Sequence, residues 1–352
     1  MKHTAELGQL TRVRPRDAWA SVLLGIAILT CHQAAASAEL TQIKIGLLRS
    51  MQNSGVFIAQ ERGYFAAEGL ATSLVLFNGA QPIPEAVASH NVDFGVAGTT
   101  ASLYRLGNAG ALRIIAGAAH EAAGYHLYGL AVSGHAYQAG LKTYKDLPGH
   151  SVAISTFGAP AHYSLALIAK RYGFDLTDVR VTPLQSYAEM VSVVSNGQAD
   201  AGIMPATEMT TAISNGTLQI IGWIGNEVPW QVSVIFTATE FANENRDTVA
   251  RFLRAYRRGA REYYGAFAGA DGARKDGPSV REILSIIARY LGHTAEQIKT
   301  EISYIDPDGR LDVNDILQQI GWYRAQGLLD GPKQHLDEEI IDKRYVIPLI
   351  ER

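Results

Sequence analysis

Ile43-Lys44-Ile45-Gly46-Leu47-Leu48, then Arg49-Ser50-Met51-Gln52-Asn53-Ser54-Gly55, then Val56-Phe57-Ile58-Ala59-Gln60-Glu61-Arg62-Gly63-Tyr64-Phe65 is the stretch whose reading decides the fold. It runs on through Ala66-Ala67-Glu68-Gly69-Leu70 to Phe77-Asn78-Gly79. The first apolar run has the length of a strand, and a polar loop follows it. Residues 56–62 predict a short helix, with Gly63 where a left-handed C-terminal cap is needed. Residues 70–77 predict a second strand, stopped by Asn78-Gly79. This is a β-loop-α-β unit, so its two strands are expected to lie parallel. Parallel sheets hold ligands beyond the carboxyl ends of their strands. The loop 49–55 is therefore the first place to look for function.

The pattern returns later in the chain. Ser151-Val152-Ala153-Ile154 reads as a strand, Ser155-Thr156-Phe157-Gly158-Ala159-Pro160 as a loop, and 161–172 as a helix capped by Gly173. A second echo pairs Asn91-Val92-Asp93-Phe94-Gly95-Val96 with Gly197-Gln198-Ala199-Asp200-Ala201-Gly202. Each ends a helix and opens a strand. Two units built alike predict two α/β lobes facing one cleft, rather than one large sheet. Strands expected near 112–118 and 125–132 bracket the first crossing, at 120–130, and residues 226–232 make the return. The boundaries follow: lobe 1 from 39 to 125, lobe 2 from 126 to 228, and a return to lobe 1 from 229 to 352.

The 352 residues allow about two domains, and a 47% apolar fraction allows a full core. A net charge of −3 leaves no basic excess for nucleic acid. Residues 1–38 read as a cleaved signal peptide. Arg12, Arg14 and Arg16 precede an apolar run over 18–30, and Ala36-Ser37-Ala38 is a small-residue cleavage site. Such a leader implies a periplasmic location. Cys31, the single cysteine, is the alternative lipid-anchor site, with Thr30 before it a poor fit to that pattern. Without it the exported chain has no thiol chemistry.

Catalytic signatures are missing. The chain has no G-x-S-x-G elbow, H-E-x-x-H pair or phosphate loop. The loops 49–55 and 155–160 carry no carboxylate, whereas an active site normally gathers titratable groups. That argues for binding without reaction, with no metal and no cofactor. Glu121, near the first crossing, is the exception and a possible partner for a cationic ligand group. Asp306-Pro307-Asp308-Gly309 reads as a turn, because a calcium loop begun there would need an acid where Leu317 stands. The arginines of 245–267 (Arg251, Arg254, Arg257, Arg258, Arg261) are expected on solvated faces, with a docking surface as the alternative.

Several segments resemble the periplasmic substrate-binding proteins of ABC importers, in the nitrate, sulfonate, taurine and thiamine-precursor group. They are Gly63-Tyr64-Phe65-Ala66-Ala67-Glu68-Gly69-Leu70, Asp93-Phe94-Gly95, Asp146-Leu147-Pro148-Gly149, Gly197-Gln198-Ala199-Asp200-Ala201 and Gly327-Leu328-Leu329-Asp330. The resemblance implies a two-lobed α/β fold of the type II periplasmic-binding-protein kind with two crossing strands. It also implies a permease and an ATPase at the membrane as partners, for a monomeric binder. Many members carry Gly-Ser-x-x-His at the second lobe's helix start. Gly158-Ala159-Pro160-Ala161-His162 keeps the glycine and histidine but not the serine, which weakens a sulfonate reading.

The expected ligand site joins the strand-end loops of both lobes. Lobe 1 offers Gln52, Asn53, Asn78, Thr99 and Thr100. Lobe 2 offers Ser155, Thr156, Phe157, Gly158, His162 and Gln185, with Met204 and Trp230 as apolar walls. Helices opening at Thr99-Thr100 and at Gly158-Ala159-Pro160 would aim backbone N–H groups at a small anion. The function read from the chain is capture of a small organic anion, a carboxylate before a sulfonate, for delivery to an importer. An enzyme of the same fold in pyrimidine synthesis and a ligand-presenting sensor are the alternatives. The first of these would be expected to carry a cysteine-rich segment that this chain lacks.

Overall fold

The computed structural model describes residues 39–329 and 339–349. Residues 1–38, read above as a signal peptide and including Cys31, and Asp330 of the last resembling segment lie outside the described residues. The first unit folds as its sequence predicts. β1 (Thr41–Leu48) and β2 (Leu70–Phe77) pair in parallel from Thr41 opposite Leu70 to Leu48 opposite Phe77. The helix Ser54–Glu61 lies between them, and Gly63 takes φ 69°, the left-handed value that a side chain resists. β3 (Phe94–Gly98) and β4 (Leu112–Gly117) follow, then β5 (Ala119–Glu121). The chain next forms β6 (Tyr128–Ser133), β7 (Ser151–Ile154), β8 (Arg180–Pro183), β9 (Ala201–Pro205) and β10 (Leu218–Trp223). It returns through β11 (Trp230–Gln231) and β12 (Ser233–Ala238), and β13 (Tyr304–Ile305) comes last.

The strands make two five-stranded sheets, ordered β2-β1-β3-β12-β4 and β8-β7-β9-β6-β10. The second repeats the first. Each has a parallel pair at one edge, and each receives its fourth strand antiparallel from the other half of the molecule. The echoed aspartates explain the repeat physically. Asp93 Oδ2 accepts the Lys44 N–H and Asp200 Oδ2 accepts the Ser151 N–H, both at 2.7 Å and both across 49 residues. Each carboxylate thereby ties the third strand of its sheet to the second, β3 to β1 and β9 to β7.

β5 and β11 form the crossings, paired antiparallel with Glu121 opposite Trp230 and His120 opposite Gln231. The sequence did not suggest a third member, yet β13 pairs with β5 on its other side. Residues 306–309 do form a turn. Asp306 is fully buried and spends its oxygens on the N–H groups of Asp308 and Arg310 and on the Arg310 guanidinium. No group of three His, Cys, Asp or Glu able to hold a metal occurs among the described residues.

The arginines of the helix Arg246–Phe267 lie on its exposed and half-exposed positions, as expected. From there they also tether the helix to its surroundings. Arg254 pairs with Glu68 and Arg261 with Asp308, while Arg257 donates to the Asp308 and Tyr345 carbonyls. Arg258 lies 3.8 Å over the Tyr64 ring, and Arg251 reaches the Glu68 and Gly69 carbonyls. The opposite face packs so closely on the helix Ser54–Glu61 that a Cβ at Gly259 would stand 2.1 Å from the Gly55 carbonyl oxygen. Only glycine permits that approach.

Candidate ligand-binding site

A cavity of about 510 Å³ opens at the carboxyl ends of the parallel strands of both sheets. That is an ordinary size for a small-molecule site. Leu48, Phe77 and Gly98 close β1, β2 and β3 on one side, and Ser155, Gln185 and Pro205 follow or end β7, β8 and β9 on the other. Several helix starts point at it. Thr100 caps the helix Ala101–Asn108 by accepting the Leu103 N–H, and Ser186 caps Tyr187–Ser195 by accepting the Glu189 N–H. Pro160 begins Pro160–Tyr172, where its missing N–H is no loss. The first turns of these helices carry N–H groups without intrahelical acceptors and the positive end of each macrodipole.

The two sides meet directly. The Ala101 N–H donates to the Gly158 carbonyl at 2.9 Å, and Gln52 Nε2 donates to the Tyr128 hydroxyl at 3.3 Å. Gly98 faces Pro160 so tightly that an added Cβ would lie 2.7 Å from the ring. Gln185 holds a left-handed backbone, φ 51°, at the cavity edge. A non-glycine residue pays for that conformation, and such strain clusters at functional positions.

Of the residues named from the sequence, Gln52, Asn78, Thr100, Ser155, Thr156 and Gln185 line the cavity. The others do not. Asn53 turns inward to donate to the Leu48 carbonyl. Thr99 donates through both its N–H and its hydroxyl to the Val232 carbonyl, and its own carbonyl accepts from Tyr323. Phe157 points outward, edge-on to His162. Gly158 is a left-handed turn residue whose N–H donates to His162 Nδ1 at 3.3 Å. His162 is therefore a loop-closing packing residue. Burial holds it neutral, lowering its pKa to about 4. Met204 lies in the core of the second sheet, and Trp230 packs edge-on to Tyr163 inside the main core. Neither is an apolar wall of the cavity: Met204 points to the other face of β9 from Pro205, and Trp230 is held in the crossing strand β11. Glu121 is likewise buried in its crossing strand, with Oε1 accepting the Tyr128 N–H at 2.8 Å.

The absence of cleft carboxylates also needs correcting, because Glu208 and Glu301 both line the cavity, with His293, Tyr128 and Tyr187. Glu208 follows β9 by three residues, so the strand-end rule had the means to find it. Glu301 and His293 come from the C-terminal helical segment, which no strand-end rule reaches. Glu301 is 1% exposed, and its Oε2 accepts both the N–H and the hydroxyl of Thr207. Burial raises its pKa to about 7 against those two donors, and the charge of Glu208 adds to the rise. Glu208 has open surface yet stands between cleft walls, and burial there raises its pKa too.

Burial similarly raises Glu121 to about 8. A carboxyl raised in this way stabilises the fold fully below its unfolded pKa and loses that contribution as pH climbs through the folded value. The lowered, buried histidines His120 and His162 oppose this trend, but only below about pH 6.5, where the unfolded imidazole takes up a proton. The thermal midpoint of the ligand-free protein is therefore expected to fall as pH rises from 6.5 to 8. A midpoint that is level or rising over that range in a calorimetric series would contradict the burial of these acids.

Two sheets of this order, crossing strands and a cavity between them define the class: this is the fold of the periplasmic binding proteins. A family model described as NMT1/THI5 like matches residues 50–266, well over half of the chain, and the chain belongs to that family. Among solved structures it is similar to the periplasmic aliphatic sulphonate binding protein SsuA from Escherichia coli. The TM-score is 0.67 at 18% identity, over 88% of this chain and 94% of that one. It is also similar to a ligand binding component of an ABC-type import system from Staphylococcus aureus, solved with zinc bound. There the TM-score is 0.67 at 12% identity, over 88% and 97% of the two chains. The periplasmic nitrate-binding protein NrtA from Synechocystis PCC 6803 gives a TM-score of 0.64 at 12% identity, over 86% and 85%. No curated protein matches the chain significantly. Among the described residues no helix is long and apolar enough to cross a membrane.

Proposed function

We propose that the protein is an exported solute-binding protein of the periplasm. It captures a small organic acid in the cavity between its lobes and delivers it to the permease and ATPase of an ABC importer. One observation carries the reading: a cavity sits at the strand ends of two lobes, and several helix N-termini open onto it. Similarity to binding proteins, one of them a component of an ABC-type import system, supports the delivery role. A carboxylate is favoured over a sulfonate because Ala159 stands where many relatives have serine. Ser155, Thr156 and the first-turn N–H groups near Thr100 and Pro160 are the proposed donors to the acid.

Thr156 offers the cleanest test, since among the described residues its hydroxyl has only a long 3.4 Å contact to the Phe157 carbonyl. Thr156→Val is expected to weaken binding of the co-purifying ligand by about 1–3 kcal/mol. Thr100→Val removes a helix cap as well, so about 1 kcal/mol of stability should go with its affinity. Calorimetry of both variants decides the matter. Unchanged affinity in both, with folding intact, removes the donors from the site.

A further inference from the structure

Resting on the reading just given, we propose that the solute carries a protonated amine beside its acidic group, and that Glu208 and Glu301 bind that amine. Both carboxylates line the cavity, and neither forms a salt bridge with a lysine or arginine among the described residues. Glu301 is almost wholly buried, and both Thr207 donors fall on Oε2. No donor among the described residues reaches its Oε1. Glu208 makes no hydrogen bond or ion pair with any described residue. Arg49 is the one lysine or arginine among the described residues that line the cavity, and its Nη1 is given to the Tyr290 carbonyl at 2.9 Å.

A carboxylate withdrawn from water, as that of Glu301 is, costs free energy until a cation or hydrogen-bond donors replace the lost hydration. A plain organic acid would add negative charge to the cavity and bring no cation to either carboxylate. A primary ammonium has three donors, enough to bridge Glu301 Oε1 and the Glu208 carboxylate together. Thr207 fixes the orientation of Glu301 from its other oxygen, so the acceptor is held in place before the ligand arrives. His293 is the remaining titratable group whose field acts on Glu208, and it favours the ionised carboxylate. The cavity thus has an acid-binding set of helix starts and hydroxyls and, apart from it, an amine-binding pair of carboxylates. A solute matching both is a small amino-substituted organic acid.

The test uses molecules that differ only in the amine: butanoate against 4-aminobutanoate, ethanesulfonate against 2-aminoethanesulfonate, and 4-methylbenzoate against 4-(aminomethyl)benzoate. Butan-1-amine serves as the amine without the acid. Each is titrated calorimetrically into ligand-stripped wild type, Glu208→Gln and Glu301→Gln. The last keeps an acceptor for Thr207, and melting curves check that both variants fold. In at least one pair the amino acid should bind about tenfold or more tightly than its twin, and either variant should erase about tenfold of that preference. Equal or tighter binding of the plain acids, or a preference that survives both variants, overturns the inference and leaves the small-acid reading standing. Binding of butan-1-amine with no acid binding at all supports the carboxylate pair and removes the acid reading. A panel in which nothing binds removes both.

Discussion

Replacing Trp230 by alanine is expected to lower the unfolding free energy by about 3–5 kcal/mol. The indole is 1% exposed, sits on crossing strand β11 opposite Glu121, and meets Tyr163 of the second lobe edge-on with ring centroids 5.4 Å apart. Tyr163 in turn contacts Trp322 and Tyr323, and Tyr323 donates to the Thr99 carbonyl. One aromatic group thus packs against both lobes at their junction, and deleting its largest member leaves a cavity that the crossing strands cannot close. The indole N–H finds no acceptor among the described residues. Trp230→Phe therefore removes an unsatisfied donor while keeping most of the packing, and should cost far less than the alanine change. Urea denaturation followed at several probes would measure both variants and report whether the lobes still unfold together. Similar losses in the two would mean that the ring packing is not what holds the junction.

Gly98→Val is expected to leave the fold intact and to weaken ligand binding by one to two orders of magnitude. Gly98 ends β3 at the cavity, and the nearest atom to an added Cβ is Pro160 Cγ of the opposite lobe, at 2.7 Å. Overpacking of this kind costs about 1–3 kcal/mol. Here the chain can relieve it by hinge motion at β5 and β11, because the clash exists only while the lobes are together. The cost then falls on the closed state, and the affinity drops by the same free energy. Small-angle scattering gives the structural readout. Wild type should contract on saturation with ligand, whereas the valine variant should stay at the larger radius of gyration. Wild-type affinity in the variant would show that Pro160 yields locally and that Gly98 does not gate closure.

The architecture was legible because it rests on local signals repeated along the chain. The stretch 43–79 carries its own strand, cap and turn residues, and the parallel pair β1–β2 forms where they predict. Asp93 and Asp200 recur at matching places because each lashes two strands of its own sheet, a constraint confined to one lobe. The strand-end loops were legible for the same reason, and Gln52, Asn78, Thr100, Ser155, Thr156 and Gln185 do line the cavity. Which side chain of a loop faces the cavity is a different matter. Asn53 and Thr99 are neighbours of Gln52 and Thr100, and a single step along the backbone sends them to the Leu48 and Val232 carbonyls instead.

Long-range packing decided the rest. Nothing local to 246–267 says that its arginines tether the helix to Glu68, Asp308 and Tyr345, because those partners lie distant in sequence. Nothing local to Glu301 says that a C-terminal segment lays its carboxylate beside Thr207 at the cavity wall, 94 residues away. From sequence alone come most of the strands, the parallel pairing in the first unit and the loops at the strand ends, since periodicity and capping act over a few residues; β12, which sits between β3 and β4, was not among them. The charge inside the cavity came only with the tertiary structure, because it depends on which distant side chains are desolvated together.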